Sequence, residues 1–217
     1  MFFVTILDLK TDLKKTDFDA LLGLVSEERR ARVAAFRFWR DKRNCLLGDV
    51  LARYELSRQF PELDFKRIEF RLSDLGKPFV KGRSGIYFNI SHCEKTIACV
   101  VSDEPVGIDA ENIKGTPAGI AERYFAPDEA AYIAEGSDSR RFYEVWTKKE
   151  SRLKLSGAGL NMSLSSFSAF DKAADLRYYN VYETQKVICH VCSPKPQPPM
   201  VEVLAAEKLV RRVEWAL

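Results

Sequence analysis

The sequence predicts an α+β fold made of two similar halves that meet near residue 104. Three observations predict it. The 217 residues are 46% hydrophobic and 12% aromatic, enough for one sizeable core or two small subdomains packed together, and too apolar for a disordered chain. Strand-like runs rich in β-branched and aromatic residues fall at 2–7, 68–72, 86–90, 96–101, 106–110, 177–182 and 187–192. Helical patterns interrupt them without the strand–helix–strand alternation of a parallel α/β sheet. No sequence repeat marks the halves, which divide as 1–104 and 105–217.

Each element has its own signal. The opening residues 1–7 are apolar but too short for a signal segment, lack a basic lead and run into Asp8 and Lys10, so they read as a strand. Ser26 is a good N-cap, and Glu27 and Glu28 lie where the helix dipole favours acids, predicting a helix over 27–38. From residue 44 to 59, Leu46, Leu47, Val50, Leu51 and Tyr54 recur at helical spacing, and Pro61 marks the stop. Pro127, Asp128 and Glu129 open a short helix. A longer one starts at Ser137 or Asp138 and runs to about Ser156, closed by Gly157 and Gly159. The Pro-rich stretch 193–199 reads as a stiff surface connection between late strands.

Composition excludes several classes. No apolar run reaches the roughly 18 residues that span a bilayer, so a soluble chain without a membrane partner is expected. Lys and Arg number 34 against 31 Asp and Glu, a net charge of +3, so polyanion binding would have to come from local clustering. Five scattered cysteines favour a reducing cytoplasm. Cys189 and Cys192 form a lone CxxC in a strand-like segment, with no second pair to complete a zinc site.

Two segments concentrate acids. In Gly107-Ile-Asp109-Ala-Glu111 alternation puts Asp109 and Glu111 on one strand face, which reads either as a solvated acidic face or as a hard-cation site. In the helix 142–154, the residues Phe142, Val145, Trp146, Lys149 and Leu153 share a stripe, with Glu150 and Lys154 on its edge. Ionic groups beside a buried stripe are either snorkelling side chains or parts of a site. Ser91 and His92 end a strand with groups able to bond a phosphate. Seven basic residues between Arg29 and Arg43, interleaved with Phe36, Phe38 and Trp39, suit phosphate binding or a solvated helix face. Neither GxSxG nor a Walker-type loop occurs.

In order and spacing, Asn89-Ile-Ser-His92, Gly107-Ile-Asp-Ala-Glu111, Trp146-Thr-Lys-Lys-Glu150-Ser-Arg-Leu-Lys154 and Gly157-Ala-Gly-Leu160 resemble the surfactin-type 4′-phosphopantetheinyl transferases. The resemblance extends through Ser26–Arg32, Leu46-Leu-Gly-Asp-Val-Leu51 and Gly76-Lys-Pro78 and covers roughly residues 1 to 170. It implies a pseudo-dimer of two α+β subdomains that moves the phosphopantetheine arm of coenzyme A to a serine of an apo acyl or peptidyl carrier protein, releasing adenosine 3′,5′-bisphosphate. It implies Mg²⁺ held by Asp109, Glu111 and Glu150, with Glu150 also the base, Lys154 on the leaving phosphate and Glu129 assisting the base. Arg29, Arg32 and His92 would bind the 3′-phosphate, and Lys77, Pro78 and Ser91 the adenine side. Lys149 belongs to the matched motif and is expected as a further coenzyme A contact. Where the family's next phosphate-binding arginine aligns, this chain has Asn44, so Arg43 or Arg40 is expected to substitute. A monomer is expected. The rivals are a metal-dependent phosphodiesterase or nucleotidyl transferase, using the same acids without a carrier, and a nucleic-acid-binding module resting on 29–43, which the near-neutral charge and the acids oppose.

Overall fold

A computed structural model describes residues 1–157, 162–171 and 175–215. The chain runs β1 (Phe2–Asp8), α1 (Lys15–Leu22), α2 (Glu27–Ala35), α3 (Trp39–Gln59), β2 (Phe70–Leu72), β3 (Pro78–Val80), β4 (Tyr87–His92), β5 (Thr96–Ser102), β6 (Gly107–Asn112), α4 (Ile120–Tyr124), α5 (Pro127–Ala134), α6 (Arg140–Ser156), a 3₁₀ turn (Leu164–Ser166), β7 (Arg177–Glu183), β8 (Val187–Ser193), β9 (Met200–Leu204) and α7 (Ala206–Trp215). The order β1–α3–β4–β5 repeats as β6–α6–β7–β8, and the sheet orders β4-β5-β1 and β7-β8-β6 match strand for strand. The two halves expected from the sequence are thus a topological duplication whose sequence record is no longer visible.

Strand alternation divides the interior. On β1 and β5, Phe2, Val4, Ile6, Ala98 and Val100 face the second sheet and meet Ile108, Ala110, Val181, Cys189 and Val191 in a shared core. The opposite faces carry Leu7, Ile97, Cys99 and Val101 against Leu46, Leu47, Val50 and Leu51 of α3. Beyond the second sheet, Phe142 and Val145 of α6 pack with Ile188 and Phe125. A sheet pair with a helix on each outer face therefore buries every apolar stripe that the pattern predicts.

The second half does not extend to 217 as expected. β9 pairs in parallel with β1, and Leu209, Val210 and Val213 of α7 join the core of the first half. Those three residues form a helical stripe that the sequence already displays. The unforeseen β3 begins at Pro78 and lies on a two-stranded ribbon where a missing N–H costs no ladder bond. The helix expected over 27–38 stops at Ala35 because Phe36 and Phe38 are extended, and α3 starts at Trp39. Gly157 closes α6 as expected, in a left-handed C-cap at φ 71°, whereas Gly159 lies outside the described residues. Cys189 faces the inter-sheet core and Cys192, three positions on, the other side, so the CxxC thiols diverge.

Gly107 sets the distance between α6 and β6. A Cβ there would lie 2.0 Å from the Ser151 carbonyl oxygen and 2.4 Å from the Leu155 nitrogen, both backbone atoms that cannot swing aside. Gly107→Ala is therefore expected to cost about 3 kcal/mol by overpacking, measurable by urea denaturation; a loss under about 0.5 kcal/mol would show that α6 shifts freely.

Candidate active site

The two sheets meet edge to edge at β4 and β6 without a backbone ladder. Instead Asn89 Oδ1 accepts from the Ile108 N–H (2.9 Å) and Ser91 Oγ from the Ala110 N–H (3.1 Å). These bonds bracket Asp109, whose side chain and that of Glu111 point toward α6 by strand alternation. Because Gly107 admits α6 so closely, Glu150 and Lys154 come over the same strand, and a cavity of about 390 Å³ opens among Ser91, His92, Asp109, Glu111, Trp146, Glu150 and Lys154.

The charges are unevenly satisfied. Lys154 Nζ lies 2.6 Å from Asp109 Oδ1 and donates to Ser91 Oγ at 2.9 Å, while Ser91 donates to Asp109 Oδ1 at 3.1 Å. The other oxygen, Asp109 Oδ2, is buried with no partner among the described residues. Burial, and then the Asp109 charge, push the Glu111 and Glu150 carboxyls above the usual range, against the pull of Lys154; the Trp146 indole also bonds Glu111 and favours its ionised form. His92 is exposed along one edge, and desolvation followed by the Lys154 ammonium lowers its pKa. Among the described residues no three acidic, His or Cys side chains stand close enough to hold a metal ion by themselves. The orphaned Asp109 oxygen beside two carboxyls that resist ionisation nonetheless fits a hard cation that takes its remaining ligands from water and phosphate, as Mg²⁺ does.

Other expected contacts lie elsewhere. Arg43 is buried: its guanidinium bonds Asp12 at 2.6 Å, the Glu94 carbonyl at 2.8 Å and Asn44 Oδ1, so it ties α3 to the β4–β5 turn and has no edge left for a phosphate. Arg40 stays exposed, its Nε on neighbouring Asp41. Arg29 pairs with buried Asp49 at 2.9 Å, and Arg32 makes no ion pair among the described residues. These two line a cleft of about 340 Å³ with Arg53, Arg71 and Pro78, distinct from the cavity of His92. Pro78 also lines a neighbouring cavity of about 420 Å³ with Lys77, Phe88 and Leu155. A larger cleft, about 1000 Å³ between the end of α3 and α7, contains none of the expected residues.

Lys149 and Glu129 leave the cleft altogether. Both are fully buried; Lys149 Nζ lies 2.6 Å from Glu129 Oε2 and donates to the Phe167 carbonyl, while Glu129 accepts from the Ala126 and Ala169 N–H groups. Neither a coenzyme A contact for Lys149 nor a base-assisting role for Glu129 is compatible with this enclosure: the helical stripe that carries Lys149 inward also removes it from the face of Glu150. Asn89 and Trp146 are the contributors that sequence reasoning did not assign, although Asn89 shares its strand face with Ser91, and Trp146 precedes Glu150 by one helical turn.

Comparison with known proteins decides the family. A 4′-phosphopantetheinyl transferase superfamily model matches residues 105–198, and a 4′-phosphopantetheinyl transferase N-terminal model matches residues 12–104. The chain belongs to the 4′-phosphopantetheinyl transferase superfamily. It is 34% identical to the 4′-phosphopantetheinyl transferase psf-1 of Bacillus pumilus over 92% of either chain, and 35% identical to the transferase Sfp of Bacillus subtilis over 72% of this chain and 70% of that one. The transferase gsp of Aneurinibacillus migulanus is 36% identical over 69% of this chain and 63% of its own. The transferase fold thus carries its acids at the seam between the halves.

Two outcomes follow from this charge distribution. Lys149→Met should cost about 3–5 kcal/mol by stranding buried Glu129, and adding Glu129→Gln should recover part of that loss in denaturant titrations. With both Glu111 and Glu150 raised, the folded protein holds their protons more tightly than the unfolded chain, so stability falls as pH rises through the carboxylate range and the loss is complete above the raised values. A divalent cation should therefore raise the melting temperature more at pH 7.5 than at pH 5, readable by calorimetry; equal shifts at both would place cation binding away from these groups.

Proposed function

We propose that this chain transfers the 4′-phosphopantetheine arm of coenzyme A to a serine of an apo acyl or peptidyl carrier protein in the cytoplasm, as a Mg²⁺-dependent monomer. Family membership supports the reaction, and the buried, unpartnered Asp109 Oδ2 beside Glu111 and Glu150 carries the assignment of the site. All five cysteines are free thiols, in keeping with a reducing compartment, and among the described residues no helix is long and apolar enough to cross a membrane.

In this reading the serine oxygen forms a bond to the β-phosphorus of coenzyme A, the pyrophosphate P–O bond breaks, and adenosine 3′,5′-bisphosphate departs with the electron pair. Phosphoryl transfer asks chiefly for positioning and charge neutralisation. Mg²⁺ held by Asp109, Glu111 and Glu150 would offset the pyrophosphate charge when bound. Glu150 accepts the serine proton, a task suited to a carboxyl whose burial raises its basicity. Lys154, which neutralises Asp109 in the structure, presents its ammonium to the leaving phosphate. The family resemblance assigns His92 and Arg32 to the 3′-phosphate, although they line separate cavities, and Pro78 to the adenine.

Intact-mass measurement of an apo-carrier panel incubated with coenzyme A and Mg²⁺ tests this directly. The expected result is addition of a phosphopantetheine, abolished by EDTA and reduced on the order of 10²-fold or more in Glu150→Gln, which should still bind coenzyme A in Mg²⁺ by calorimetry. Coenzyme A cleavage without a carrier would favour the phosphodiesterase reading, and normal transfer by the Gln variant would remove Glu150 from the mechanism.

A further inference from the structure

Lys77 has a use that a ligand contact does not explain. Its backbone is spent on the β2–β3 ribbon, where its carbonyl accepts from the Ser73 N–H and its own N–H donates to Ser73 Oγ. Its side chain leaves that ribbon and crosses to the second half. There Nζ donates to the Leu155 carbonyl at 2.8 Å and to the Val106 carbonyl at 3.0 Å. Leu155 lies in the last turn of α6, whose carbonyls lack helical partners and attract a cation. Val106 immediately precedes Gly107, the residue against which that turn packs. Gly157, in its left-handed cap, leaves room for the Lys77 stem: a Cβ there would stand 3.4 Å from Lys77 Cβ. Among the described residues no carboxylate pairs with this ammonium, and enclosure lowers its pKa to about 8. A charge drawn out of water onto two carbonyls carries a desolvation cost that the two hydrogen bonds only partly offset, a local conflict of the kind expected where a geometry has to be held.

We propose that Lys77 is a positioning residue, a latch from the first half that fixes the end of α6 against the start of β6 and so sets Glu150 and Lys154 over Asp109 and Glu111. The inference rests on the site assignment above for its catalytic consequence, though not for the latch itself. It also couples the cavity beside Pro78 to the acidic cleft, because one side chain lines the first and braces the second.

Lys77→Met keeps the stem and removes the donors. Hydrogen–deuterium exchange of the metal-free protein should then be about tenfold faster at the amides of 153–157 and 107–109, with unchanged exchange in the remote α3 helix. In carrier modification, kcat should fall about tenfold while KM for coenzyme A stays within about twofold, and Lys77→Arg should restore most of both signals. Unchanged exchange overturns the latch, as does a raised KM with kcat kept, the signature of a plain ligand contact. Should the Met variant not fold, Lys77→Gln, with one donor left, must show the same local exchange pattern, and failure to do so is equally decisive. If the unmodified chain transfers nothing, the functional reading falls and the exchange measurement alone decides the latch.

Discussion

Two sheet edges meet in this protein through side chains instead of a ladder, and the rest of the molecule is arranged around that junction. An exposed strand edge normally needs a partner strand or a cover for its N–H groups. Here Asn89 and Ser91 of β4 reach across to the Ile108 and Ala110 N–H groups of β6. Side chains hold the edges apart where a ladder would close them, and a cleft results. The same two bonds grip β6 on either side of Asp109, so the carboxylate that most needs fixing is the best fixed. Duplication of the fold explains how this came about: each half brings its own sheet and its own packed helix, and neither half alone contains the cleft.

Electrostatics follow from that geometry. With the halves joined, Asp109, Glu111 and Glu150 share a small desolvated volume in which ionisation of the two glutamates is opposed. Lys154 offsets part of the charge by occupying one oxygen of Asp109 and leaves the second to be satisfied from outside the protein. An added hard cation would complete that balance. Around it, fully satisfied buried pairs such as Lys149 with Glu129 hold their elements without entering the chemistry.

Much of this was legible in the sequence, for reasons that also explain what was not. Asp109 and Glu111 were readable because strand alternation alone puts them on one face, and Glu150 and Lys154 because a helical wheel puts them beside an apolar stripe. Lys149 was misjudged because the wheel places it on the stripe without revealing Glu129, whose approach depends on the path of α5 and the 167–169 segment. Arg43 failed for a similar reason: its partners Asp12 and Glu94 are 31 and 51 residues away, beyond any local pattern. The role of Lys77 was hidden too, since its acceptors are backbone carbonyls that every residue carries. Local periodicity names a face; only the assembled fold names the occupant opposite it.

The parallel pairing of β9 with β1 bears on how the chain is made. During synthesis the strand that opens the first sheet emerges long before residues 200–204, which complete its outer edge, and α7, which seals its outer core, follows later still. The earlier half consequently waits with an open edge and an uncovered apolar face while the later half folds. Pairing strands this far apart in sequence adds to the non-local contacts that slow folding. The two halves, although duplicates in topology, are not independent modules: the segment that follows the second half clasps the first.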